Sequence, residues 1–292
     1  MRVIDLHCDT VGEMYDRSLR FDCGALDINS NIIDRFDEYI PVTAIWSRKD
    51  LSGEECYSRF LSASENAEEK LAEYPHVPAV EGAKLLCGDI SRLDVLSEKG
   101  VKILTLTWAG VNELGGSHDT HAGLTDFGKR VVKRCFELGI IPDVSHASDE
   151  TFAGVRELAR KAGKAFIASH SNSRVIWKHA RNLTDDMYLD VADSGGVVGV
   201  SLEPTHLGEI GNMQDAVSHI AHYYTLDPQT VCLGCDFDGR TSRPSDMTGA
   251  DCLFRIWDEL LKIGFSQNDA DAVFYGNAKR FFDKNNITYF RK

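Results

Sequence analysis

Eight short runs of apolar and β-branched residues recur along the chain, and amphipathic helical patterns lie between them. The runs fall near 3–9 (VIDLHCD), 40–46 (IPVTAIW), 77–81 (VPAVE), 101–107 (VKILTLT), 140–145 (IIPDVS), 165–169 (AFIAS), 197–202 (VVGVSL) and 231–236 (VCLGCD). Helical patterns include 62–74 (SASENAEEKLAEY), 125–139 (TDFGKRVVKRCFELG) and 148–163 (SDETFAGVRELARKAG). The last two open on the N-cap candidates Thr125 and Ser148 and stop at Gly139 and Gly163. Strands that alternate with helices pair in parallel through right-handed crossovers. Eight such units in 292 residues predict an α/β fold, a (β/α)8 TIM-like barrel forming a single domain over 1–292. The competing architecture is an open doubly wound sheet. Its dinucleotide-binding form needs G-x-G-x-x-G after the first strand, where this chain has CDTVGEM.

A barrel of this kind carries its chemistry at the C-terminal ends of its strands. Here those ends hold His7 and Asp9, Glu81, Ser145-His146, Ser169-His170-Ser171 and Asp236-Phe237-Asp238-Gly239. His7 and Asp9 stand two apart, the spacing that puts two side chains on one face of a strand. Three histidines and three carboxylates are nitrogen and hard oxygen donors, suited to Zn²⁺ and also to Mn²⁺, Co²⁺ or Fe²⁺. One ion needs about three protein ligands, so this set predicts two, bridged by a carboxylate and sharing a hydroxide.

Composition narrows the partners. A formal net charge of -13 repels phosphate backbones, so no nucleic acid is expected. No apolar stretch approaches the ~18–20 residues of a membrane span, and no basic segment followed by an apolar one precedes the first strand. The expectation is a cytoplasmic protein with no membrane partner, and eight scattered cysteines without a disulfide framework agree with it.

The segments DLHCDT, AIWS, AVEGAKLL, ILTLTW, GLTDFGKRVV, IIPDVSHAS, AFIASHSNSR, HARNLTDDM, GGVVGVS and GCDFDG, spread in this order over roughly 3–240, resemble the membrane (renal) dipeptidase family of zinc metallopeptidases. The resemblance implies a distorted (β/α)8 barrel of the metal-dependent hydrolase type. It also implies two zinc ions, a small dipeptide substrate and a possible homodimer. It places His7 and Asp9 on the first zinc, Glu81 across both, and His146 and His170 on the second. It makes Asp236 the proton shuttle that meets the bridging water and the substrate amine, and Arg181 the partner of the substrate's free carboxylate. Mammalian members have His after LTLT, where this chain has Trp108. Carbonyl activation then rests on the metals or on Asn112, His118 or His121.

The other polar and aromatic candidates carry simpler expectations. Trp46 and Trp108 are expected as pocket walls, and His179 is a candidate for orienting the substrate. His118 and His121 are expected on the surface, as are His219 and His222 on an outer helix. Asp238 is expected to cap the D-F-D-G turn. Cys8, Cys232 and Cys235 are expected to be structural, the last two facing opposite sides. Competing functions are hydrolysis of another short amide, a lactam or a lactone by the same ions, and a non-catalytic binding protein on a retained barrel.

Overall fold

The computed structural model describes residues 1–289; the last three residues of the expected single domain lie outside it. Seven strands form one parallel sheet: β1 (Arg2–Cys8), β2 (Glu38–Trp46), β3 (Val77–Glu81), β4 (Ile103–Thr105), β5 (Ile141–Asp143), β6 (Val198–Val200) and β7 (Val231–Leu233). Their order is β5-β4-β3-β2-β1-β7-β6, with every pairing parallel. The sheet curls into the expected TIM-like fold, with helices in the crossovers.

The run at 165–169 does not form the eighth strand expected of it. It makes one parallel bridge to each free edge, Ile167 to Asp143 and Ala168 to Val198, and so closes the curl between β5 and β6. The ladder stops there because side chains take over its donors. Ser169 N donates to Asp143 Oδ1 and His170 N to Ser145 Oγ, both at 2.9 Å. The seam also requires glycine on its far side. A Cβ on Gly234 would stand 1.8 Å from the Ser169 carbonyl oxygen, and one on Gly199 would stand 2.0 Å from it. Gly234→Ala is therefore expected to lower stability by at least about 2 kcal/mol, read from urea denaturation midpoints, since overpacking against backbone has no side chain to give way.

Two apolar layers enclose the sheet. Inside, Ile4, Leu6, Ile40, Val42, Ala44, Val77, Ala79, Ile103, Ile141 and Ile167 pack together, and Phe281 and Phe282 of the helix Asn277–Lys284 pack among them. Outside, a larger cluster joins the other strand faces to the crossover helices. Cys232 belongs to the inner layer and Cys235 to the outer one, as the opposed faces of that C-x-x-C require.

The helices Asp126–Leu138 and Asp149–Ala162 begin and end as read, with Thr125 and Ser148 accepting from Gly128 N and Thr151 N, and Gly139 and Gly163 in the left-handed region. The helix expected at 62–74 instead runs Gly53–Lys70. A reciprocal capping box between Ser52 and Glu55 starts it earlier. Among the described residues no helix is long and apolar enough to cross a membrane.

Candidate metal centre

His7 lies on β1 where the register against β2 slips, Asp5 pairing with Pro41 but Cys8 with Thr43. Strict alternation from the inward Ile4 and Leu6 would send His7 outward. The extra residue of this bulge turns it to the inner side instead, where its ring stacks on His170 at 3.8 Å. Asp9 stands beyond the strand, before the helix Thr10–Asp16. The two side chains still meet, with Asp9 Oδ2 3.5 Å from His7 Nε2, but a bulge and a helix start bring them together rather than plain strand geometry.

Glu81 ends β3 and points up the same interior. Its Oε1 lies 2.9 Å from His146 Nε2, 3.2 Å from His170 Nε2 and 3.7 Å from His7 Nε2. Asp236 Oδ1 is 3.8 Å from His7 Nε2, and its backbone N donates to the His7 carbonyl at 3.0 Å. Two overlapping groups of donors result, His7 with Glu81 and His170, and His7 with Asp9 and Asp236. Backbone strain concentrates here: His146, Asp236 and Asp238 are left-handed, with φ of 67°, 62° and 65°. Conformations like these cost on the order of 1–3 kcal/mol each in a non-glycine residue and persist where the surroundings hold them.

The donor set fits divalent cations. The His146 and His170 Nε2 atoms are 2.9 Å apart, near the separation of about 3.3 Å between two ligands on a tetrahedral zinc. Burial pushes both imidazoles well below the ordinary histidine range, so they are neutral and offer lone pairs. His170 is oriented from behind. Ser169 Oγ donates to Asp143 Oδ2 at 2.6 Å and so accepts from His170 Nδ1 at 2.7 Å, leaving Nε2 bare toward Glu81. Glu81, Asp9 and Asp236 crowd together beside His7. Burial, opposed by the attraction of His7, drives Glu81 well above the usual carboxylate range and Asp236 to about 7. Burial works against a charged His7, but Glu81, Asp9 and Asp236 lift it to about 10. Glu81 and Asp236, both pushed up by burial, call for positive charge beside them, which protons or cations must supply. His7 Nε2 and Asp9 Oδ1 are buried without a hydrogen-bond partner among the described residues.

Above these groups opens a cleft of about 600 Å³, lined among others by Asp9, Trp46, Glu81, Trp108, His118, His146, Glu203, His206 and Asp236. That size suits a small molecule. Trp46 and Trp108 lie side by side on its wall, their rings 4.7 Å apart. Arg181 is buried and is not among the lining residues. Its Nη1 donates to Ser171 Oγ and its Nη2 to the His170 carbonyl, each at 2.8 Å, while Nε has no partner among the described residues.

Several expectations are corrected. His118 lines the cleft instead of the surface, because its N donates to the His146 carbonyl at 2.8 Å and pins the loop there. His121, by contrast, is exposed as expected, 3.4 Å from Glu150 and away from the cleft. Asn112 closes its own turn, accepting from Leu114 N and Gly115 N and donating to the Leu106 carbonyl. His219 is fully buried, its Nδ1 accepting from Ser173 N and its Nε2 meeting the Leu207 carbonyl. Asp238 does not cap its own turn. It accepts from Thr10 Oγ1 and Asp27 N, both at 2.6 Å, and ties two distant loops together.

Glu203 and His206 were not singled out from the sequence. Glu203 stands one residue past the run at 197–202, so the strand-end rule was able to reach it. Its carboxylate is taken by Thr205 and Thr241, which it holds over the cleft.

Comparison with known proteins adds the following. Residues 57–288 match the family described as membrane dipeptidase (peptidase family M19). His7 and Asp9 precede the matched residues. The chain is 30% identical over 210 residues to Dipeptidase aclJ of Aspergillus oryzae, covering 69% of this chain and 49% of that protein. It is 29% identical over 228 residues to Dipeptidase 3 of Macaca fascicularis, covering 74% of this chain and 46% of that protein. The aligned region thus spans about half the length of these two curated relatives. Its fold matches that of a metallopeptidase from Rhodobacter sphaeroides, solved with a phosphinate mimic of the dipeptide L-Ala-D-Ala. The TM-score is 0.87 at 20% identity, over 98% of this chain and 99% of that one.

Proposed function

The chain belongs to the membrane dipeptidase family, peptidase family M19, and from that premise we propose that it hydrolyses the peptide bond of dipeptides, L-Xaa-L-Xaa or L-Xaa-D-Xaa. His7, Asp9, Glu81, His146 and His170 would hold two divalent cations, zinc before manganese or cobalt. The observation that carries this reading is the placement of one Glu81 oxygen within 2.9–3.7 Å of three imidazole nitrogens. Bound there, the cations would supply Lewis acidity toward the scissile carbonyl and a water ionised near neutral pH.

The rest of the work falls to side chains. Asp236 faces the substrate amine, takes a proton as water attacks, and returns it to the leaving amine. Burial favours its protonated form and bound cations would favour its carboxylate, the opposed pulls that a group taking and returning a proton needs. Arg181 supplies the positive field at the carboxylate end. Trp46 and Trp108 wall the cleft and keep water from its apolar side.

The test is amine release from a panel of L-L and L-D dipeptides, with N-acetylated and C-amidated versions, using zinc-reconstituted protein. Free dipeptides are expected to be cleaved and both blocked forms to be cleaved at least about tenfold less well, since each loses a hydrogen-bonded charge. Silence across the panel with zinc demonstrably bound would overturn dipeptide hydrolysis and turn the reading to lactams and N-acyl amino acids.

A further inference from the structure

Asp5 is fully buried two residues before His7, yet it belongs to neither donor group of the metal centre. Its carboxylate lies on the outer face of β1, where Tyr39 of β2 packs in the outer layer. A carboxylate is buried at a cost that only bonding partners recover. Here Oδ2 accepts from the Tyr39 hydroxyl at 3.0 Å, and Oδ1 accepts from Cys235 N at 2.8 Å and from His7 N at 3.3 Å.

These bonds fall where the ladders on both sides of β1 lapse. Opposite Asp5 on β2 stands Pro41, which has no N–H to give, and the register slips before Cys8 meets Thr43. On the other side Asp5 pairs with Leu233, and beyond it Gly234 N donates to the Val200 carbonyl on β6, so Cys235 N faces β1. The Asp5 side chain, not the β1 main chain, accepts from it. The two amides on Oδ1 therefore belong to His7 itself and to the residue before Asp236. Past them the main chains rejoin, with Asp236 N donating to the His7 carbonyl at 3.0 Å and Asp9 N to the Phe237 carbonyl at 2.9 Å. One carboxylate oxygen thus sits at the root of the bulge that turns His7 inward and of the left-handed turn at Asp236.

Resting on the proposed two-cation centre, we propose that Asp5 sets the position of the donor group His7, Asp9 and Asp236 by fixing β1 against the segment that follows β7, and so sets the affinity of that cation position. It is a positioning residue. It meets neither cation nor substrate, and it acts by geometry and not by charge. Glu81, His146 and His170 stand on other segments, and none of the Asp5 bonds reaches them.

The test compares the wild type with Asp5→Asn, Asp5→Ala, Asp5→Ser and the control Val3→Ala. Zinc affinity is measured by competition with a chromophoric chelator, ligand geometry by the visible absorption of cobalt-loaded protein, and the metal-free fold by urea midpoint. Asn keeps Oδ1 for the two amides and turns its NH2 to the Tyr39 hydroxyl, which accepts it, so Asp5→Asn is expected to bind both zinc ions as the wild type does. Asp5→Ala leaves both amides unpaired. It is expected to bind one of the two zinc ions about tenfold to a hundredfold more weakly, with an altered cobalt spectrum. The Ser hydroxyl reaches His7 N on its own strand but is too short for Cys235 N, so Asp5→Ser is expected to show a loss of the same kind, and it carries the test if Asp5→Ala does not fold. Val3→Ala removes buried methyl groups from the same face of β1 and is expected to lower the urea midpoint while leaving zinc affinity and the cobalt spectrum unmoved.

Full zinc affinity with an unaltered cobalt spectrum in folded Asp5→Ala or Asp5→Ser overturns the proposal. Loss in Asp5→Asn as large as in Asp5→Ser overturns it too, because charge would then be the cause. A weakening of both zinc ions alike, matched by Val3→Ala, assigns Asp5 to stability alone. Amine release from Ala-Ala by the wild type is followed alongside. Two zinc ions bound without hydrolysis overturn the dipeptidase reading and leave the role of Asp5 to be decided by affinity.

Discussion

Glu81→Gln is expected to lose its metal and at least about a thousandfold in kcat/KM, yet to fold as well as the chelated wild type. One oxygen of Glu81 reaches His146, His170 and His7, so under the two-cation proposal its removal would affect both positions together. A Gln oxygen carries no charge, and its amide nitrogen would meet imidazole lone pairs only as a donor. Without cations the water loses the shift of its pKa from 15.7 toward about 7, and far more than three orders of magnitude of nucleophile go with it. The effect on the metal-free fold runs the other way. Burial raises the pKa of Glu81, so its ionised form weighs against folding at neutral pH, partly offset by His7. A neutral isostere removes that cost. Metal content by mass spectrometry and urea midpoints in the presence of a chelator read the two effects apart. A variant that keeps its full metal complement would show that Glu81 is not the shared ligand.

The strand-end rule reached most of this site because it follows from fold geometry alone. Glu81, His146, His170 and Asp236 all lie just where apolar runs stop. What the sequence could not show is long-range. The bulge that turns His7 inward depends on the register between β1 and β2. The helical pattern at 62–74 marks only the later part of the helix 53–70, whose start is set by the capping residues Ser52 and Glu55. The run at 165–169 has strand composition, but side chains of Asp143 and Ser145 replace its ladder, and no local pattern records that. His219 looked like a surface residue because helical period alone does not reveal that Ser173 and Leu207 cover it. The left-handed backbone at His146 and Asp236 is invisible in sequence because Asp and His carry no glycine-like marker of such a turn.

Asp236→Asn separates the two roles that the geometry allows that residue. Asp236 belongs to one of the two donor groups, with His7 and Asp9, so it has the position of a ligand. It also has the position of a proton carrier, since it lines the cleft and burial favours its protonated form. Asn keeps the shape and the left-handed backbone, which it tolerates well, but it neither takes nor gives a proton at neutral pH. The expected result is a fall in kcat of about 10²–10⁴, the usual contribution of a positioned acid–base group, with both metals retained. KM for free dipeptides should rise together with that loss, while N-acetylated substrates, already poor, should change little in KM because they lack the amine that Asp236 faces. Mass spectrometry of the purified variant decides the matter. Two metals per chain with collapsed turnover assign Asp236 to the proton. A lost metal, with turnover restored by raising the zinc concentration, makes it a ligand first and moves the proton transfer to another group in the cleft.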